Sequence, residues 1–151
     1  MSSYIYGNKN YSMYAVPAAW VMTAAPFLYT LHTWGPLKDG PQRYFDQQEA
    51  KENLTKDEKF VLRAKAAHQD GIDNIPILAL ALLTGNYAKL PTSTLNRLAA
   101  TYLISRVFYY IACINIDRDD VYPLRSVSYL SGTACCLTLF INSAHALYLD
   151  S

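Results

Sequence analysis

The chain has 151 residues, 52% hydrophobic and only 17% charged, with a formal net charge of +1. That length suits one domain with a single core, and the near-neutral balance excludes a chain built to grip nucleic acid. The charged fraction lies below the roughly 25% of ordinary soluble domains, and residues 10–37 and 126–149 contain no Lys, Arg, Asp or Glu at all.

The first predicted element is a helix over 12–34, long enough to cross a bilayer, which takes roughly 20 apolar residues. A cleaved signal peptide is the competing reading. Lys9 makes a thin positive region, however, and the apolar run continues through Phe27, Leu28 and Leu31, so a retained helix is expected. The connection that follows, residues 35–60, carries Lys38, Arg43, Lys51, Lys56 and Lys59. By the positive-inside tendency it faces the cytoplasm.

The second helix is expected over 56–84 and contains "RAKAAHQDGIDNIPILALALL", residues 63–83. At 100° per residue Arg63, Asp70, Asp73 and Asn74 share one stripe, with Ala66 and Ala67 leaving room between them, while His68 points away toward surface or interface. Charges inside a membrane are costly facing lipid, so the stripe must face protein or a water-filled cavity. Arg63, nearer the surface, also has the option of snorkelling to the headgroups.

The third helix, expected over 94–116, is apolar except for Arg97 and Arg106. Tyr102, Arg106, Tyr109, Tyr110 and Cys113 fall on one face of it. Arg106 is then the internal partner for Asp73 or Asp70, and Asp73 is expected within hydrogen-bonding reach. Tyr102 and Tyr110 read as packing residues.

A second cytoplasmic connection, 117–125, adds Arg118 and Arg125, which places both termini on the opposite side. The fourth helix is expected over 123–149. Pro123 suits its start, and Ser126 and Ser128 can satisfy free backbone donors there. A cation at a helix N-terminus is disfavoured by the macrodipole unless it holds an anion; Arg125 therefore reads as an anion or thiolate ligand. The run Ser131-Gly132-Thr133-Ala134 permits close helix approach. Cys113, Cys135 and Cys136 all lie inside helices and make no disulfide framework. No Cys/His spacing suggests a metal, no Gly-rich loop suggests a phosphate, and His145 reads as a helix-end histidine. The expectation is an all-α, integral membrane four-helix bundle forming a single domain over 1–151.

Three ordered motifs carry a resemblance. "RAKAAHQDGIDNIP", "SRVFYYIAC" and "LRSVSY" resemble the helix-two, helix-three and helix-four patterns of the MAPEG family, the membrane-associated proteins in eicosanoid and glutathione metabolism, the last of them as seen in prostaglandin E synthase relatives. The resemblance implies a homotrimer in internal membranes, of which the endoplasmic reticulum is the expected one, surrounded by membrane lipid and binding glutathione at each subunit interface near the cytoplasm. It assigns thiolate stabilisation to Arg125, assistance by hydrogen bonding to Ser126, and glutathione contact to Arg63, Asp70, Asp73, Arg106, Tyr109, Cys113 and Tyr129. A cation beside a thiol is the usual way to make it a nucleophile.

The chain also departs from that pattern. Asp70 stands where the family usually has Asn, Asp73 where it has Glu, Ala66 where several eicosanoid enzymes have Arg, and Cys113 at a tyrosine position. Three functions are compatible with these residues. The leading one is a glutathione-dependent transferase or peroxidase acting on a lipophilic electrophile. The second is an isomerase or cyclase of a hydrophobic metabolite that does without glutathione and uses Asp70 as acid or base. The third is a non-catalytic lipid-binding scaffold.

Overall fold

The computed structural model describes residues 9–34, 53–115 and 122–149, with side chains over 9–28, 53–113 and 123–149. Most of the expected 35–60 connection, including Lys38, Arg43 and Lys51, lies outside these residues, as does Arg118. Among the described residues the chain is all-helical. A short turn of 3-10 helix, Ser12–Tyr14, leads into α1 (Ala15–Trp34), followed by α2 (Lys56–Tyr87), α3 (Thr92–Asn115) and α4 (Tyr122–Leu149).

Local chemistry explains where α2 begins and ends. Thr55 caps its N-terminus, accepting from the Glu58 amide at 3.3 Å while the Glu58 carboxylate accepts from the Thr55 amide at 2.8 Å. This reciprocal box satisfies two backbone donors that would otherwise lack partners. At the other end the helix runs on to Tyr87, past the expected 84. Lys89 there adopts a left-handed φ of 53°, which turns the Leu90 amide back onto the Gly85 carbonyl at 3.0 Å. Such a closure satisfies carbonyls at a helix end, and Pro91 allows the chain to restart at once as α3.

Packing brings α3 against α4 and α1 against α2, with α2 also touching α3 and α4. One apolar cluster joins Leu78, Ala81, Leu82, Leu95, Ala99, Tyr102, Cys136 and Leu139. A second, toward the end where α2 and α4 begin, joins Ala67, Tyr109, Tyr110 and Cys113, with Met22 and Tyr129 against it. Ala64, Ala67 and Ala81 are fully buried, so small side chains let α2 lie close to its neighbours. At Gly71 the approach is tighter still: a Cβ there would collide with the Thr23 side chain and the Tyr110 hydroxyl. Thr23 and Tyr110 hydrogen-bond at 2.7 Å across this point and tie α1 to α3.

Several polar residues lie inside beside the apolar clusters, and many large apolar ones lie outside. Arg106, Asn74, Ser105, Ser128 and Ser143 are buried. Val21, Leu80, Ile104, Phe108, Val127, Leu137 and Ile141 are exposed, an apolar exterior of the kind that seeks lipid or partner protein. By length and composition one described helix, Pro123–Leu149, is apolar enough to cross a membrane, and Ser12–Leu28 is a shorter apolar stretch. The other two expected spans fall short of that measure because α2 carries Asp70, Asp73 and Asn74 at its middle as well as charges at its start, and α3 is diluted by polar residues.

His68 differs from expectation. It points away from the stripe as expected, but onto α1 and not to the surface: its ring stacks on Phe27 with centroids 4.8 Å apart, and Nδ1 donates to the Thr23 carbonyl at 3.0 Å. Pro26 lies in the same turn of α1, three residues after the carbonyl that His68 reaches.

Candidate functional site

The site lies where α3 ends and α2 and α4 begin, and its centre is Arg106. The helical spacing of α3 puts Arg106 on the same face as Tyr109, Tyr110 and Cys113, and this face turns toward α2 and α4. Arg106 is only 2% exposed. Its Nη1 donates to the Asp70 carboxylate at 3.3 Å. Its guanidinium carbon lies 5.0 Å from the Tyr102 ring centroid, 5.7 Å from Tyr109 and 5.2 Å from Tyr129. Three ring faces thus stabilise a cation that would otherwise be expensive in this apolar setting.

The partner of Arg106 is Asp70 and not the expected Asp73. Asp73 is exposed, and its carboxylate accepts from the Gln69 side-chain amide at 3.0 Å, on its own helix. Asp70, one turn earlier, lies on the side of α2 that meets α3. Asn74 buttresses this turn by donating to the Asp70 carbonyl at 2.7 Å. Arg63 lies half-buried two turns before Asp70 on α2.

Two of the Arg106 nitrogens, Nε and Nη2, are buried without a hydrogen-bond acceptor among the described residues. They face Gly132 on α4, where a Cβ would stand 3.3 Å from Nε and 3.5 Å from Nη2, and 2.9 Å from Ser105 Oγ. Glycine is therefore what leaves room for the guanidinium at this crossing.

Next to Arg106 a cavity of about 450 Å³ opens between α3 and α4, lined by Tyr109, Arg125, Ser126, Tyr129 and Leu130. That is within the range of small-molecule sites, roughly 300–1,000 Å³. Arg125 is exposed at its rim, with its guanidinium carbon 5.9 Å from the Tyr109 centroid. Tyr109 also packs with Cys113 in the second apolar cluster. The Tyr109 ring meets Tyr129 at 6.1 Å and Tyr110 at 5.7 Å, so its position is set from both sides. Among the described residues no carboxylate forms an ion pair with Arg125. A cation, a serine hydroxyl and two tyrosines around an open volume can hold an anion with an apolar group beside it.

Of the sequence-derived candidates, Arg125, Ser126, Tyr109 and Tyr129 line one cavity. Cys113 and Asp70 join it through Tyr109 and Arg106, while Asp73 stands outside. Leu130 was not singled out, since nothing distinguishes one leucine from its neighbours on an apolar helix. Gly132 was legible only as part of a small-residue run, and its role depends on which residue of α3 it meets. Among the described residues no group of His, Cys, Asp or Glu could hold a metal.

A family model described as MAPEG family matches residues 18–145 of the chain. No curated protein and no solved structure matches it.

Proposed function

Because the chain belongs to the MAPEG family, a group of membrane-associated proteins, we propose that it is a membrane-bound glutathione-dependent transferase or peroxidase acting on a lipophilic electrophile. The observation that carries this reading is the Asp70–Arg106 contact. Read from the sequence alone, Asp70 adds a repulsive charge where a peptide with two carboxylates should sit. Engaged by Arg106, that charge is offset, and Arg125 is the cation left at the cavity rim. The same contact disfavours Asp70 as acid or base, because a carboxylate tied to a guanidinium holds two helices together and is poorly placed to shuttle protons.

Glutathione fits the residues present. It would be a co-substrate that brings a thiol and two carboxylates. Arg125 would hold the thiol in its ionised form by charge, with Ser126 donating a hydrogen bond and the Tyr109 and Tyr129 rings forming the walls. Leu130 and the exposed Leu124 and Val127 supply apolar surface for the lipophilic partner.

In this reading the protein is a homotrimer in the endoplasmic reticulum membrane, with the site on the cytoplasmic side and both termini opposite. The cavity lies open on the face of one chain, which leaves it to be completed by a neighbouring subunit. Calorimetric titration of the detergent-solubilised protein with glutathione, together with conjugation of a generic aryl halide, tests the proposal. Saturable binding and conjugation that exceeds the uncatalysed rate are expected. Absence of both would overturn it in favour of an isomerase or a lipid-binding scaffold.

A further inference from the structure

At the end of the bundle where α1 and α3 begin, away from Arg106, a second cavity of about 300 Å³ opens between these two helices. Ala15, Ala18, Ala99 and Ala100 form its floor, and Tyr11 and Tyr14 flank it. Alanine side chains are too short to fill the space at this crossing, which leaves an apolar trough.

The chain entering α1 is pinned beside this trough by side-chain hydrogen bonds. Asn96 of α3 accepts from the Tyr11 amide at 2.9 Å and donates to the Lys9 carbonyl at 3.0 Å. The Ser12 amide donates to the Asn10 side chain at 3.1 Å, and Asn10 hydrogen-bonds in turn to the Asn86 side chain near the end of α2. The trough is therefore preformed, and Lys9 is anchored at the residue next to Arg97.

Charge and depth then say what the trough can hold. Lys9, Lys89 and Arg97 are all exposed at this end. Among the described residues every Asp and Glu lies on α2 between Asp57 and Asp73, so this end of the bundle is cationic. Tyr11 and Tyr14 are 47% and 71% exposed. Side chains with an apolar body and a polar tip settle at the headgroup level of a bilayer, and the apolar stretch Ser12–Leu28 starts at the same point. An apolar trough opening at that depth beside two cations matches a molecule with a hydrocarbon chain and a negative head.

We propose that this trough is a binding site for an anionic phospholipid, with one acyl chain lying along the alanine floor and the headgroup phosphate held by Lys9 and Arg97. The site is separate from the cavity at Arg125 and does not depend on the use of glutathione.

The test uses the full-length protein in detergent, mixed with phosphatidylserine or phosphatidylcholine of identical acyl chains and read by native mass spectrometry. Wild type should retain phosphatidylserine about tenfold over phosphatidylcholine, the scale of one or two Lys or Arg contacts with an acidic lipid. Lys9→Gln and Arg97→Gln together change only exposed side chains and should bring that ratio close to one. Ala100→Phe, at an exposed position on the trough floor, should abolish retention of both lipids. Equal retention of the two lipids by wild type, or wild-type retention in Ala100→Phe, would overturn the proposal. So would full displacement by an equal concentration of glycerophosphoserine, which carries the headgroup without acyl chains. A wild-type oligomer that retains no lipid and falls to monomer in Ala100→Phe would overturn it in favour of a second copy of this chain as the occupant.

Discussion

Asp70 and Arg106 are joined by a 3.3 Å contact between helices α2 and α3, with the guanidinium almost completely buried and the carboxylate about a quarter exposed. The contact decides both how the bundle is held and how its cavity is charged.

Stability should follow the pairing that is formed. Asp70→Ala leaves Arg106 buried without its carboxylate and should cost about 3–5 kcal/mol. Asp73→Ala removes an exposed group bonded only to Gln69 and should stay within about 0.5 kcal/mol. Thermal unfolding of the two variants in detergent, read by helical circular dichroism, checks the difference. Equal effects would mean that the contact does not hold the helices.

Chemistry at Asp70 can be separated from its charge. Asp70→Asn keeps an acceptor for Arg106 and removes the negative charge beside the cavity. Glutathione affinity should hold or tighten, and conjugation should persist. Loss of all turnover with the fold intact would instead identify Asp70 as a proton carrier, since an amide cannot exchange a proton at neutral pH.

Arg125 bears directly on the thiol. Arg125→Ala should cut conjugation by about 10²–10³, the scale of losing one oriented electrostatic group, and raise the pKa of bound glutathione. Ultraviolet absorbance of the bound thiolate across a pH series measures that shift. Arg125→Lys keeps the charge but loses the planar contact with Tyr109, and should fall between wild type and alanine.

Two of the glycines at helix crossings, Gly71 and Gly132, should accept a side chain only at a cost. Gly132→Ala would press a methyl group on Ser105 Oγ at 2.9 Å and Arg106 Nε at 3.3 Å, and should destabilise by about 1–3 kcal/mol. Because it displaces the guanidinium from Tyr129, it should also weaken glutathione binding. Gly71→Ala meets Thr23 and Tyr110 instead and should lower stability with less effect on binding. Unfolding and titration of both variants in parallel distinguish a packing role from a site role.

How much of this was legible beforehand follows from what periodicity can encode. The apolar runs and the density of charge around residues 38–59 were enough to place four helices, because helix formation and burial depend on composition along a single segment. The same periodicity grouped Tyr102, Arg106, Tyr109, Tyr110 and Cys113 on one face of α3, and the helix-start chemistry singled out Arg125. Those inferences concern one helix at a time. Whether Asp70 or Asp73 meets Arg106 depends on how α2 is rotated and shifted against α3, and both carboxylates lie on the same broad stripe. Only the packing resolved it: small residues at Ala64, Ala67 and Gly71 let α2 settle close to its neighbours, and that rotation turns Asp70 inward and Asp73 out. The place of His68 was decided the same way, by a carbonyl on α1 that no pattern within α2 reveals. Contacts between helices depend on the side chains of both, and a single strand of sequence specifies only one partner at a time.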